Sequence, residues 1–100
     1  MSLYQLQKLL YQLNRDPRVS ARFRADREEV LGEFELSEEE RTAIRTDDVG
    51  LLYVLGVNGQ ILMHYAAMCG LEWHEYLDAM RKGLEVHGPV RDGLYATVWE

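Results

Sequence analysis

The chain has one cysteine, Cys69. A lone thiol cannot build an internal disulfide framework, and a chain without one suits a reducing compartment. Metal-ligand spacing is missing too, with no His-Glu-x-x-His and no Cys-x-x-Cys. Basic residues are the minority, 11 Lys and Arg against 17 Asp and Glu, for a net charge of −6. Nucleic acid demands a basic face to neutralise its phosphates, so it is not expected as a partner. The first residues, Met1-Ser2-Leu3-Tyr4-Gln5, lack the basic stretch and apolar run of a secretory signal, and a cytoplasmic location is expected. No repeat and no low-complexity tract is present. The longest apolar stretch, Leu51–Gly70, is interrupted by Gly56, Asn58, Gly59, Gln60 and His64. A membrane span needs ~20 residues with almost no polar break, so no membrane partner is expected either. What remains is 100 residues, 47% hydrophobic and 28% charged. That composition suits one soluble domain with a modest core.

The pattern of that domain is helical. Leu3, Leu6, Leu10 and Leu13 recur at spacings of three and four and predict a helix to about Asn14. Asp16-Pro17 reads as a cap followed by proline at the first helical position, opening a short helix to about Arg24. Asp26 starts a further turn or two, with Gly32 expected as a left-handed terminator. Ser37 with Glu40 has the spacing of a capping box, and Glu38 and Glu39 add negative charge at the same helix start. That helix should end near Arg45, with Thr46 or Asp47 capping the next. Leu51–Gly70 then reads as two helical segments meeting at Gly56-Val57-Asn58-Gly59. Ile61, Leu62, Tyr65, Ala66 and Cys69 form the inward stripe of the second segment, and Gly70 stops it. A final helix is expected over Glu72–Lys82, with Trp73, Tyr76, Leu77 and Met80 on one face and Gly83 beyond its end. The expected fold is all-α, a small orthogonal bundle of about five to six short helices with an irregular C-terminal tail. The domain takes residues 1–83 and the tail residues 84–100; strand-favouring types fill Leu94–Trp99, with no second strand evident to pair with them.

Little here promises chemistry. His64 and Cys69 are five apart, on different helix faces. His74 and Asp78 share a face, but two ligands are not a metal site. His64 reads as a partly buried residue and His74 as a surface one. Cys69 lies at a helix C-terminus on the apolar stripe, where a structural role is expected rather than a nucleophile. No catalytic, cofactor-binding or metal-binding residue is assigned. Two features point to a partner instead. Arg15, Arg18, Arg22, Arg24 and Arg27 crowd thirteen positions; they read either as a solvated face paired with Glu28, Glu29 and Glu33 or as a docking face. The tail carries Leu94, Tyr95, Val98 and Trp99, which either fold back or anchor into another chain. The partner-binding candidates are Arg15, Arg18, Arg22, Tyr95 and Trp99.

A family resemblance joins these pieces. Ser37-Glu38-Glu39-Glu40 opens a helix, Asp47-Asp48 precedes an apolar one, and Leu55-Gly56-Val57 with Gly59 forms the turn. Ala66-Ala67-Met68 with Gly70, then Glu75-Tyr76 and Ala79-Met80, complete the set. Residues 34–82 thereby resemble the small (alpha) subunit of protocatechuate 4,5-dioxygenase, the LigA-type subunit of two-subunit extradiol ring-cleaving enzymes. The resemblance implies an all-helical, non-catalytic accessory subunit lying over the active-site mouth of a larger one. It also implies that the non-haem iron and catalytic histidines belong to that larger subunit, leaving no cofactor in this chain. A weaker resemblance covers the first half. Ser2-Leu3, Asp16-Pro17 and Phe34-Glu35-Leu36-Ser37-Glu38-Glu39 are similar to Nif-type leader domains of ribosomally made, enzymatically modified peptides. On that alternative the partner is a modifying enzyme and Leu84–Glu100 its substrate. A homo-oligomeric helical protein of other function is the third possibility.

Overall fold

The computed structural model describes residues 2–91, which fold as seven helices in order: α1 (Ser2–Arg15), α2 (Pro17–Ala25), α3 (Arg27–Leu31), α4 (Glu38–Arg45), α5 (Val49–Leu55), α6 (Gly59–Met68) and α7 (Trp73–His87). The described residues contain no strand. None of their helices is long and apolar enough to cross a membrane. Most helix starts fall where side-chain chemistry puts them. Asp16 accepts from the Arg18 amide and Asp26 from that of Glu29. Ser37 and Glu40 close their capping box reciprocally, at 3.1 and 2.8 Å, which satisfies two otherwise orphaned donors.

Three local expectations are corrected. Gly32 ends α3 in ordinary right-handed geometry (φ −67), so the chain there does not need glycine's freedom. The cap of α5 is Asp48, whose carboxylate takes the Leu51 amide at 3.0 Å, and not Thr46 or Asp47. Asp47 has the different job of stopping α4. It adopts a left-handed φ of 52, while the amides of Asp47 and Asp48 donate to the Ile44 and Ala43 carbonyls. Those two bonds are a Schellman stop, where glycine is the usual occupant. The Asp47 side chain explains the exception. Its Oδ1 accepts from Arg27 Nη1 and from the Tyr65 hydroxyl, each at 2.9 Å, so the strained residue ties α3, α4 and α6 together.

The third correction concerns α7, which runs a full turn past Lys82 to His87 with Gly83 inside it and buried. A Cβ added at Gly83 would lie 2.4 Å from the Gly50 carbonyl oxygen, and one added at Gly50 would lie 2.4 Å from that of Ala79. The two glycines therefore let α5 and α7 touch backbone to backbone. Glycine in a helix interior costs about 1 kcal/mol, which explains why the sequence reads as a helix end. Close packing offsets that cost.

The core is continuous from Leu6, Leu9 and Leu10 of α1 through Phe23, Ile44 and Leu52 to Leu62 and Tyr65 of α6. The turn between α5 and α6 joins this core through the buried Val57. Gly56 takes a left-handed φ of 103. The buried Gln7 side chain accepts the Asn58 amide at 2.6 Å, and the Arg91 amide donates to the Val54 carbonyl at 2.8 Å. Arg91 also forms a two-bond ion pair with Glu39, which holds the Glu39 carboxyl below its ordinary range. The apolar hinge is thus pinned from α1 on one side and from the segment after α7 on the other. Gln7→Leu removes the acceptor and strands the Asn58 amide, so it should destabilise the fold by about 2 kcal/mol. Urea denaturation checks this; an unchanged midpoint would show that water replaces Gln7 at no cost.

Candidate partner-docking faces

Helix α7 presents two apolar faces. The inner one is built by Tyr76, Ala79 and Gly83, at spacings of three and four, against α5. The outer one follows the same rhythm: Trp73, Leu77, Met80 and Leu84 at spacings of four, three and four share one stripe. Trp73 is 61% exposed, Leu77 44% and Leu84 41%. Of the four residues expected on one face, Tyr76 is buried and Met80 half-buried against the core, while Trp73 and Leu77 are exposed. The cause is the small-residue contact through Gly83, which turns Tyr76 inward and leaves Trp73 and Leu77 outside. The Trp73 ring tilts against Tyr76 with centroids 5.6 Å apart, and Trp73 shares a shallow cleft of about 140 Å³ with Met63 of α6. The stripe therefore continues onto a second helix.

A second face lies between α1 and α6. Two clefts of about 420 Å³ each adjoin there, both lined by Asn14 and His64. Leu10, Leu13, Tyr65 and Met68 line one cleft together with Arg24; Tyr11 and Ile61 line the other together with Arg15. His64 is exposed at the junction, not partly buried as its place in an apolar stretch suggested. The reason is its position on the outer face of α6, opposite the inward Leu62.

The arginine-rich segment divides. Arg22 pairs with Glu29 at 3.1 Å and with Glu33, and those two carboxylates hold its guanidinium above its ordinary range. Arg27 is spent on Asp47 and on the Ile44 carbonyl, with its guanidinium over the Phe23 ring. Glu28 binds Arg45 instead, at 2.8 and 2.9 Å. Arg18 stands exposed, 3.6 Å from the cap carboxylate of Asp16. Arg15 lies over the Tyr11 ring and donates to the Tyr11 hydroxyl at 2.9 Å. Of the partner candidates, Arg15 lines one of these two clefts and Arg18 and Arg22 do not; Tyr95 and Trp99 fall outside the described residues. The exposed stripe of α7 escaped sequence reading because periodicity reports that a face is apolar, not whether anything covers it.

Nothing in the site's titratable groups suggests a nucleophile. Burial, followed by the Asp47 charge, pushes the Cys69 thiol up to about 11. Burial also raises the Tyr65 hydroxyl. Among the described residues, three metal-capable side chains converge at Glu72, His74 and Glu75. All three are exposed, and the two glutamates form the capping box of α7.

Fold and faces together define a small all-α domain with a large apolar helix stripe left open. Comparison with known families makes this specific. The family model of the LigA subunit of the aromatic-ring-opening dioxygenase LigAB matches residues 6–87, and the chain belongs to that family. The match also spans Asp16-Pro17 and Phe34–Glu39, two of the three segments behind the leader-domain resemblance. Among curated proteins and among solved structures, nothing matches the chain.

Proposed function

We propose that this chain is the non-catalytic small subunit of an aromatic-ring-opening dioxygenase, docking over the active-site mouth of a larger subunit. The observation that carries the reading is the family match over residues 6–87. The uncovered stripe of Trp73, Leu77 and Leu84 supports it, because exposed apolar patches that carry an aromatic side chain mark protein-binding surfaces. The iron that such an enzyme uses belongs, on this reading, to the larger subunit.

The test is co-expression with a tagged large dioxygenase subunit from the same source. The expected result is co-elution as one complex and a change in ring-opening rate when this chain is added. Absence of a complex together with an unchanged rate would discard the proposal.

A further inference from the structure

The trough between α1 and α6 differs in charge from the rest of the molecule. The sequence holds 17 Asp and Glu, yet none of the residues lining its two clefts is acidic. Arginines stand there instead, Arg15 in one cleft and Arg24 in the other, with His64 lining both. Among the described residues, neither Arg15 nor Arg24 has a carboxylate within 4.0 Å, whereas every other arginine has one. In an acidic chain, two arginines with no ion-pair partner among the described residues, beside two adjoining clefts, are a charge arrangement awaiting its complement. The floor between them is apolar, with Leu10, Leu13 and Tyr65 buried and Met68 half-buried. An extended segment alternating acidic and apolar side chains would satisfy both. Its carboxylates would pair with the guanidiniums, and its apolar side chains would cover the floor.

We infer that this trough takes an acidic segment of the larger subunit, with Arg15 and Arg24 holding its carboxylates. The inference rests on the docking reading above and adds a second surface, chemically distinct from the apolar stripe of α7. Opposite charges at two separated positions would fix the orientation of the partner, which an apolar stripe alone specifies poorly.

The probe is an eight-residue peptide of alternating Glu and Leu, titrated into the isotope-labelled full chain and followed by NMR. Resonances of Asn14, Arg15, Arg24 and His64 should shift, while those of Trp73 and Leu84 stay in place. Combining Arg15→Glu with Arg24→Glu should weaken the peptide at least about tenfold, and added salt should weaken the native chain more than the variant. Both side chains are exposed, so the variant should keep its fold; Arg18→Glu, outside the trough, should bind as the native chain does. Equal binding by a Lys-Leu peptide, or undiminished binding by the double variant, would overturn the inference. Saturable shifts of the same resonances with acetate or benzoate would mark a small-anion site and overturn it as well. Peptide binding as expected, with no large subunit captured, would strike the docking reading and leave the acidic preference of the trough standing.

Discussion

Gly83→Ala should lower the stability of the chain by about 3 kcal/mol, at the upper end of what one added methyl costs in a packed interior. The size follows from what the methyl meets. Its nearest neighbours would be the Gly50 carbonyl oxygen at 2.4 Å, the Gly50 carbonyl carbon at 2.6 Å and the Gly50 Cα at 2.7 Å. These are backbone atoms with no rotamer to change, so α5 and α7 must move apart. Separation would undo the contact that carries Val49, Leu52 and Tyr76 into the core. Alanine's better helix propensity, worth about 1 kcal/mol, is already counted in that net figure. For a domain of this size the net change corresponds to a fall of roughly 12–24 °C in melting temperature. Gly50→Ala should behave alike, and the double variant should cost much less than the sum, since one separation accommodates both methyls. Gly59→Ala is the control. It opens α6, and a Cβ there meets nothing within 4 Å, so its melting temperature should match the native chain. Thermal melts of the four variants decide it. A Gly83→Ala chain melting within two or three degrees of the native one, an order-of-magnitude tolerance for a surface change, would show that the helices are not held by this contact.

The same pair of glycines shows where sequence reading stops. Helix starts were legible because their chemistry is local: Asp16, Ser37 with Glu40, and Asn58 each satisfy amides two or three residues away. The stop at Gly56 was legible for the same reason, since a left-handed φ favours glycine. Gly83 failed the rule because its reason lies 33 positions earlier, at Gly50, and a single sequence gives no sign of that contact. Asp47 failed likewise. A left-handed aspartate is explained only by Arg27 and Tyr65, both distant in the chain. The candidate faces divide in the same way. The arginine cluster was visible as composition, but which arginines would be consumed by Glu29, Glu33 and Asp47 depended on packing. The family's segments were visible in residues 34–82, while its match extends back to residue 6. That extension takes in α1, whose Gln7 holds the central turn from outside the stretch that contains it.

Trp73→Ala should weaken association with the larger subunit by about thirtyfold or more, roughly 2 kcal/mol or above, while leaving the fold intact. Three observations set the expectation. Trp73 is the most exposed of the large aromatic side chains described, at 61%. It stands at one end of the α7 stripe, where Met63 of α6 widens the apolar surface. The side chain is also pre-oriented by the Tyr76 ring, and a ring already held in place loses less conformational entropy on binding. Because little of Trp73 is buried in the free chain, the stability loss should stay under about 1 kcal/mol, the scale of one aromatic pair. The profile along α7 should be graded. Leu77→Ala should cost less than Trp73→Ala, and Leu84→Ala less again if the contact centres on the aromatic end. Val86→Ala should cost nothing, for although Val86 is 74% exposed it lies off the stripe. Affinity by calorimetry, paired with a melt of each variant, separates binding from folding. The competing occupant of the stripe is a second copy of this chain. Sedimentation of the native chain alone would reveal it as a dimer that Trp73→Ala dissolves, and that result would remove the larger subunit from this face. A monomer whose Trp73→Ala variant still binds the large subunit at full strength would remove the face itself.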